Sequence, residues 1–289
     1  MTPQGAYDID ALLDDVVTLP SMPDSLAHIT ELINDPDCPL SEVANAIASD
    51  PAIAMKTLRL VNSAFYGLGQ QVTTLNHAVV LLGVRVIRNL ALTATVFDTM
   101  ENSADRFLHH CVACGVAMRV LQEAGPLGDR VATADEAFIY GLFHDIGKVI
   151  LEEHLPEECE EAAEAVREKQ IPWYRAEREA IGVDHGAVGA RLAEKWKLAP
   201  GVVAAIQGHH DLSACAEEDR LLAASLGCAD YLCSLSGVPA HEEFFFDLDE
   251  SVWEAAELDH AALLGLVDRY FDSFHMVHEL IRDTGEASE

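Results

Sequence analysis

The chain has 289 residues, half of them apolar, which allows a large core in one or two domains, and no apolar run approaches the ~20 residues of a membrane-spanning helix. Its formal net charge of −31, from 18 basic and 49 acidic residues, excludes a broad nucleic-acid surface, which needs Lys and Arg to neutralise phosphates. Seven cysteines, odd in number and mostly in apolar helical pattern, predict reduced thiols in a cytoplasmic setting, and the N-terminus shows no signal-peptide pattern.

In chain order, residues 1–18 form an acidic lead-in, ending before Leu19-Pro-Ser-Met-Pro23. A first helix carries Leu26, Ile29, Leu32 and Ile33 at helical spacing and breaks at Asn34-Asp-Pro36. Ser41 can cap the next helix, with Val43, Ile47 and Ala48, and Asp50-Pro51 starts another through Ile53, Leu58 and Val61. Thr74 opens a helix stopped by Gly83, and residues 84–96 are helical again. Lys56, Arg59, Arg85 and Arg88 are the only basic residues among the first hundred, in two i, i+3 pairs. They are solvated faces or, alternatively, a partner or anion surface. Asn62-Ser63 reads as a helix-end cap and packing motif.

Residues 101–105 mark a boundary, after which a helix over 107–122 carries His109 and His110. Thr133-Ala-Asp-Glu136 is a capping box for the helix bearing Ile139 to Leu151 and its His144-Asp145 pair, which stops at Gly147 with Lys148 just beyond. An acidic helix after Pro156 is followed by a helix over 177–196 with His185. Pro200 opens one ending at His209-His210, and residues 221–235 carry Asp230. A Phe-rich acidic loop then leads to a last helix over about 260–281. No β alternation occurs, so the fold class is all-α. The divisions fall at 1–18, 19–104, 105–237 and 238–289.

An imidazole and a carboxylate side by side in an apolar run are costly unless something charged meets them, and a divalent metal takes both as ligands. A lone histidine on an apolar face is more often a satisfied core residue, but five histidines and two aspartates on separate helices are hard to explain that way. Asp145 would bridge two ions, with His110, His144 and Asp230 on one and His185, His209 and His210 on the other. Lys148 could steady phosphate charge. Mixed His and carboxylate ligands suit iron or manganese, with zinc a third option. Asp184 reads as an orienting partner of His185, a cap or a solvent-exposed residue. The Cys111/Cys114 pair reads as small core packing.

The order His110, His144-Asp145, His185, His209-His210, Asp230, with Phe143-His-Asp-Ile-Gly-Lys148, resembles the HD superfamily of metal-dependent phosphohydrolases. The spacing of the last three groups is similar to the HD-GYP phosphodiesterases, but His210 runs into Asp211-Leu-Ser and no Gly-Tyr-Pro follows. Leu19-Pro-Ser-Met-Pro23, Ser49-Asp-Pro51, Leu60-Val-Asn-Ser-Ala-Phe-Tyr66 and Ala78-Val-Val-Leu-Leu-Gly83 resemble the HDOD family, the HD-related output domain of bacterial signalling proteins. That resemblance covers residues 19 to about 237 and implies an N-terminal helical lobe packed on an HD-like metal-binding lobe. It implies a signalling output or binding module, whose partner is a signalling protein or a phosphate-containing small molecule. Many members have lost metal ligands, and this chain departs from them in keeping the full series. The alternative is an active phosphohydrolase or phosphodiesterase, with Asp145 and Lys148 as its catalytic residues.

Overall fold

The computed structural model describes residues 32, 38–49, 51–62, 68, 70–84, 86–87, 90–91, 104–128, 134–196, 198–238 and 247–274. Among them no strand occurs, and the fold is all-α. The chain divides into two compact units, Thr18–His109 with Arg269–Glu289 and Met1–Val17 with His110–Asp268. No helix among the described residues is long and apolar enough to cross a membrane, and none of the seven cysteines is in a disulfide.

In the smaller unit, helix α1 (Leu40–Ala48) packs against both α2 (Pro51–Val61) and α3 (Leu75–Leu82). Val43, Ala44 and Ile47 of α1 recur every three to four residues and are buried with Ile53, Val61, Leu75, Ala78 and Val79. Pro39, not Ser41, occupies the cap position of α1, because the helix begins at Leu40 and takes Ser41 into its first turn. Thr74 caps α3 by accepting from the His77 N–H, and Gly83 ends it with φ 84°. The Asn62 side chain donates to the carbonyls of Leu58 (2.8 Å) and Val72 (2.7 Å) and accepts from the Val72 N–H (2.6 Å). One amide thus ends α2 and ties it to the approach to α3. The first helix apart from Leu32, the 63–67 turn, Arg85, Arg88 and the side chains of Lys56 and Arg59 lie outside the described residues. So do residues 1–18, 101–103, the opening of the 133–136 capping box, 239–246 and everything after 274.

The larger unit runs through α4 (Ala104–Ala124, entering the unit at His110), α5 (Ala134–Phe143), α6 (Ile146–His154), α7 (Pro156–Lys169) and α8 (Trp173–Ala180). It continues through α9 (His185–Lys195), α10 (Pro200–Gly208), two 3₁₀ turns, α11 (Arg220–Leu235), α12 (Glu250–Ala255) and α13 (His260–Leu264). Chain neighbours pack together in α7 on α8, α9 on α10, α10 on α11 and α11 on α12, while α6 packs on α9 and α5 against α10 and α11.

Three expected helices are broken, and the last of them, over about 260–281, is interrupted at Gly265-Leu266, where α13 ends. The helix expected to carry His144-Asp145 and to stop at Gly147 ends at Phe143 instead; His144-Asp145 form the break, and Gly147 and Lys148 lie inside the next helix. The expected 177–196 helix is α8 and α9, separated because Asp184 adopts extended backbone and caps α9 by accepting from the Ala187 N–H.

Two glycines set how closely these helices approach. A Cβ on Gly141 of α5 would lie 2.5 Å from the Cys114 carbonyl carbon of α4. A Cβ on Gly147 of α6 would overlap the His185 carbonyl oxygen and come within 2.7 Å of the Gly189 N of α9. Backbone therefore meets backbone on both sides of the His144-Asp145 break.

Candidate metal centre

The helix breaks present the chemistry. His144 and Asp145 fill the gap between α5 and α6, His185 is the first residue of α9, and His209 and His210 follow the end of α10. Only His110 in α4 and Asp230 in α11 come from helix interiors. His110, His144, Asp145, His185 and His209 are buried, whereas Asp230 keeps 22% of its side chain exposed and His210 is half-buried.

Asp145 stands at the centre with its two oxygens facing different partners. Its Oδ2 lies 3.4 Å from the Nε2 atoms of both His110 and His144, and Asp230 Oδ1 lies 3.3 Å from His110 Nε2. Its Oδ1 lies 3.2 Å from His185 Nε2 and 3.9 Å from His209 Nε2. Two groups result, His110/His144/Asp230 and Asp145/His185/His209/His210, each with all its ligand atoms within 4.8 Å of one another. All seven residues expected as ligands are therefore gathered. Lys148 donates to Asp145 Oδ2 at 2.6 Å and is itself buried, so its charge is committed to that carboxylate. His109 belongs to neither group.

Four imidazoles have their tautomers set from behind. The Nδ1–H of His110 donates to the Val238 carbonyl (2.8 Å), that of His144 to Gly141 (2.7 Å) and that of His209 to Ile206 (2.6 Å). His185 Nδ1–H donates to Glu177 Oε2 (2.6 Å). In the neutral ring each leaves a bare Nε2 lone pair pointing inward. Yet His110 Nε2 and His144 Nε2 are 3.2 Å apart, and His209 Nε2 and Asp145 Oδ1 are buried with no hydrogen-bond partner. Lone pairs held against one another and against a carboxylate are a repulsive arrangement that a cation relieves. The residues fit divalent metal, with Asp145 lying between the two groups.

The field of the cluster points the same way. Burial opposes charge on His110, but the Asp145 hydrogen bond and the Asp230 charge outweigh it and raise its pKa to about 9. Burial likewise opposes charge on His185, and Glu177 and Asp145 raise it to about 9. Burial pushes His209 down to about 3, helped by His144 and His185, and pushes His210 well below its usual value. Burial disfavours ionised Asp145, but His144, Lys148 and His185 hold it well below the usual carboxylate range. Each half of the cluster thus attracts one positive charge, a proton or a metal competing for the same lone pairs.

Three site residues were not singled out in the sequence. Besides taking the His185 ring proton, Glu177 accepts from the His185 backbone N–H (2.9 Å). Arg178 donates to Asp184 (2.5 Å) and Asp211 (3.0 Å), and Tyr174 stacks on the His210 ring at 5.0 Å. Of the three readings of Asp184, the helix cap is the one the fold shows, and the residue is buried rather than exposed. No local signal marks Glu177 among 49 acids.

The sequence profile of the HDOD domain matches residues 19–212. The chain belongs to the HDOD family. A protein of Treponema pallidum (strain Nichols) is 28% identical over 223 residues, covering 76% of this chain and 43% of the relative, so the chain spans less than half of that relative's length. An HDOD domain protein of unknown function from Geobacter sulfurreducens has a similar structure, with a TM-score of 0.63 at 24% identity over 96% of both chains. A candidate phosphohydrolase from Shewanella amazonensis SB2B gives 0.68 at 24% identity, covering 93% of this chain and 98% of the other. A candidate signal transduction protein from Marinobacter aquaeolei VT8 gives 0.72 at 19%, covering 97% and 62%. These likenesses establish a shared HDOD fold.

Proposed function

We propose that this HDOD protein is a signalling output module whose larger unit holds two divalent metal ions, iron or manganese by ligand type, with zinc as a third option. The observation that carries the reading is the convergence of four imidazole lone pairs, their tautomers set from behind, on the two oxygens of Asp145. His110, His144 and Asp230 would hold one ion, His185, His209 and His210 the other, and Asp145 both. A module is favoured because Lys148 is occupied by Asp145 and most of the ligand set is buried. In this reading the metals hold the helix ends of the larger unit together. A signalling protein or a phosphate-containing small molecule is the partner.

One observation favours the second reading, a metal-dependent phosphohydrolase or phosphodiesterase. His210 lines a cavity of about 680 Å³ bordered by Tyr174, by Arg175, Arg178 and Arg220 and by Asp211, Asp249 and Glu254, which gives the second metal group a route to a small polar ligand. When bound, a pair of divalent ions supplies a water of lowered pKa and stabilises charge on phosphoryl oxygens. Asp145 would orient both halves, and Lys148 would hold Asp145 ionised. The test is turnover of a generic phosphodiester, with manganese or iron supplied, by wild type, Asp145→Asn and His209→Ala. The module reading expects equal background rates in all three. A wild-type rate abolished by both changes would establish the hydrolase instead.

A further inference from the structure

Helix α8 presents one face to the second metal group alone. Tyr174, Glu177 and Arg178 are spaced i, i+3, i+4 and so share a side of the helix. Tyr174 stacks on His210 with the rings 11° from parallel. Glu177 holds His185 through both its backbone N–H and its ring. Arg178 joins Asp184, the cap of the helix that His185 begins, to Asp211, the residue after His210. Asp211 in turn caps the following 3₁₀ turn by accepting from the Ser213 N–H. Every non-bridging ligand of this group except His209 is thus touched by α8, and both flanking segments are tied by one guanidinium. Among the described residues, none of Tyr174, Glu177 and Arg178 has such a contact with His110, His144 or Asp230. The helix backbone is held elsewhere, by a small core of Ala162, Val166 and Ala176 shared with α7.

The acceptors behind the imidazoles differ in kind. His110, His144 and His209 donate to neutral carbonyls, whereas His185 donates to a buried carboxylate. A charged acceptor raises the donor strength of the far ring nitrogen and sets its orientation more firmly than a carbonyl does. Glu177 is therefore the asymmetric element of an otherwise repeated arrangement.

We infer that Glu177 and Arg178, with Tyr174, are positioning residues that set the affinity and geometry of the second metal group independently of the first. The inference rests on the two-metal reading above. It means the two ions bind unequally, and that a change at α8 switches the protein between a two-metal and a one-metal form.

The experiment titrates metal-free full-length protein with manganese(II) and cobalt(II), counting ions per chain and recording cobalt visible absorption and thermal melts. Wild type is compared with Glu177→Gln, which keeps an acceptor but removes its charge, and with Arg178→Ala, an exposed change that serves if Glu177→Gln does not fold. Glu179→Gln, on an exposed side chain of α8 paired with Lys169, is the control. We expect Glu177→Gln to weaken one of the two ions about 10–100-fold, the range for losing a partner behind a metal-binding histidine, and to leave the other unchanged. The cobalt spectrum of that one site should shift, Arg178→Ala should act in the same direction, and Glu179→Gln should match wild type. Equal weakening of both ions, or two ions bound as in wild type, would overturn the inference while leaving the two-metal reading standing. A wild type that binds neither ion would remove both.

Discussion

Replacing Gly147 by alanine tests whether the close contact of α6 and α9 positions the centre. The new Cβ would point at main chain, not at a side chain that could swing away, overlapping the His185 carbonyl oxygen and lying 2.7 Å from the Gly189 N. Reaching 3.4 Å, the start of ordinary contact, from that nitrogen alone requires the helices to part by about 0.7 Å. Overpacking of this kind costs about 1–3 kcal/mol. In a unit of this size that lowers Tm by about 2–12 °C. The displacement acts directly on the site, because Gly147 is two residues from Asp145 and its obstacle is His185 itself. Asp145 Oδ1 and His185 Nε2, now 3.2 Å apart, would separate, and the second metal group would weaken. Thermal melts of metal-free and manganese-loaded protein, with ion counting, provide the assay. Gly147→Ala should lose both Tm and part of the metal-induced rise in Tm. A variant that melts within 1 °C of wild type and takes up the same metal would refute the claim that this contact assembles the centre.

Metal should stabilise the fold: at 100 times its Kd a single ion adds about 2.7 kcal/mol, so chelator should lower Tm and added manganese or iron restore it. If chelated and loaded protein melt together, the ligands are not serving a metal. In the metal-free form His110 and His185 have pKa values raised to about 9, so their contribution to stability is full below about pH 6.5 and is lost as pH rises through 9. Metal binding displaces those protons and strengthens over the same range, so the Tm gap between loaded and metal-free protein should widen from pH 6.5 to 9. A gap that narrows would contradict the proton–metal competition. Asn62→Ala removes the hydrogen bonds that tie α2 to Val72 and should cost about 1–3 kcal/mol in the smaller unit with metal content unchanged, read by denaturant melts and metal analysis. Loss of metal in that variant would be the adverse result.

The helical class was legible from short-range signals that act within one turn. Pro51 does begin α2, Thr74 does cap α3 and Gly83 does end it. The seven candidate ligands were legible because an imidazole or carboxylate in an apolar run needs a partner. What the sequence hid was where the helices stop. The sequence reads as one helix through His144-Asp145 to Gly147, yet the chain breaks at that pair and is helical again from Ile146, and a break also falls ahead of His185. Those breaks let ligands leave helix ends at angles that a helix interior does not offer. The roles of Gly147 and Glu177 were also hidden, since each depends on a backbone or side chain brought close only by tertiary packing. The sequence suggested Lys148 as a contact for phosphate charge, and in the fold its ammonium is bonded to Asp145.

The central claim is that Asp145 joins two metal ions in one centre. Its most direct test is the metal content of wild type and Asp145→Asn after reconstitution with manganese, iron or zinc and removal of unbound ions. The account predicts about two ions per chain in wild type and loss of both in Asp145→Asn, because each carboxylate oxygen faces a different group. A wild type that retains no metal, or an Asp145→Asn protein that retains two ions, would contradict it.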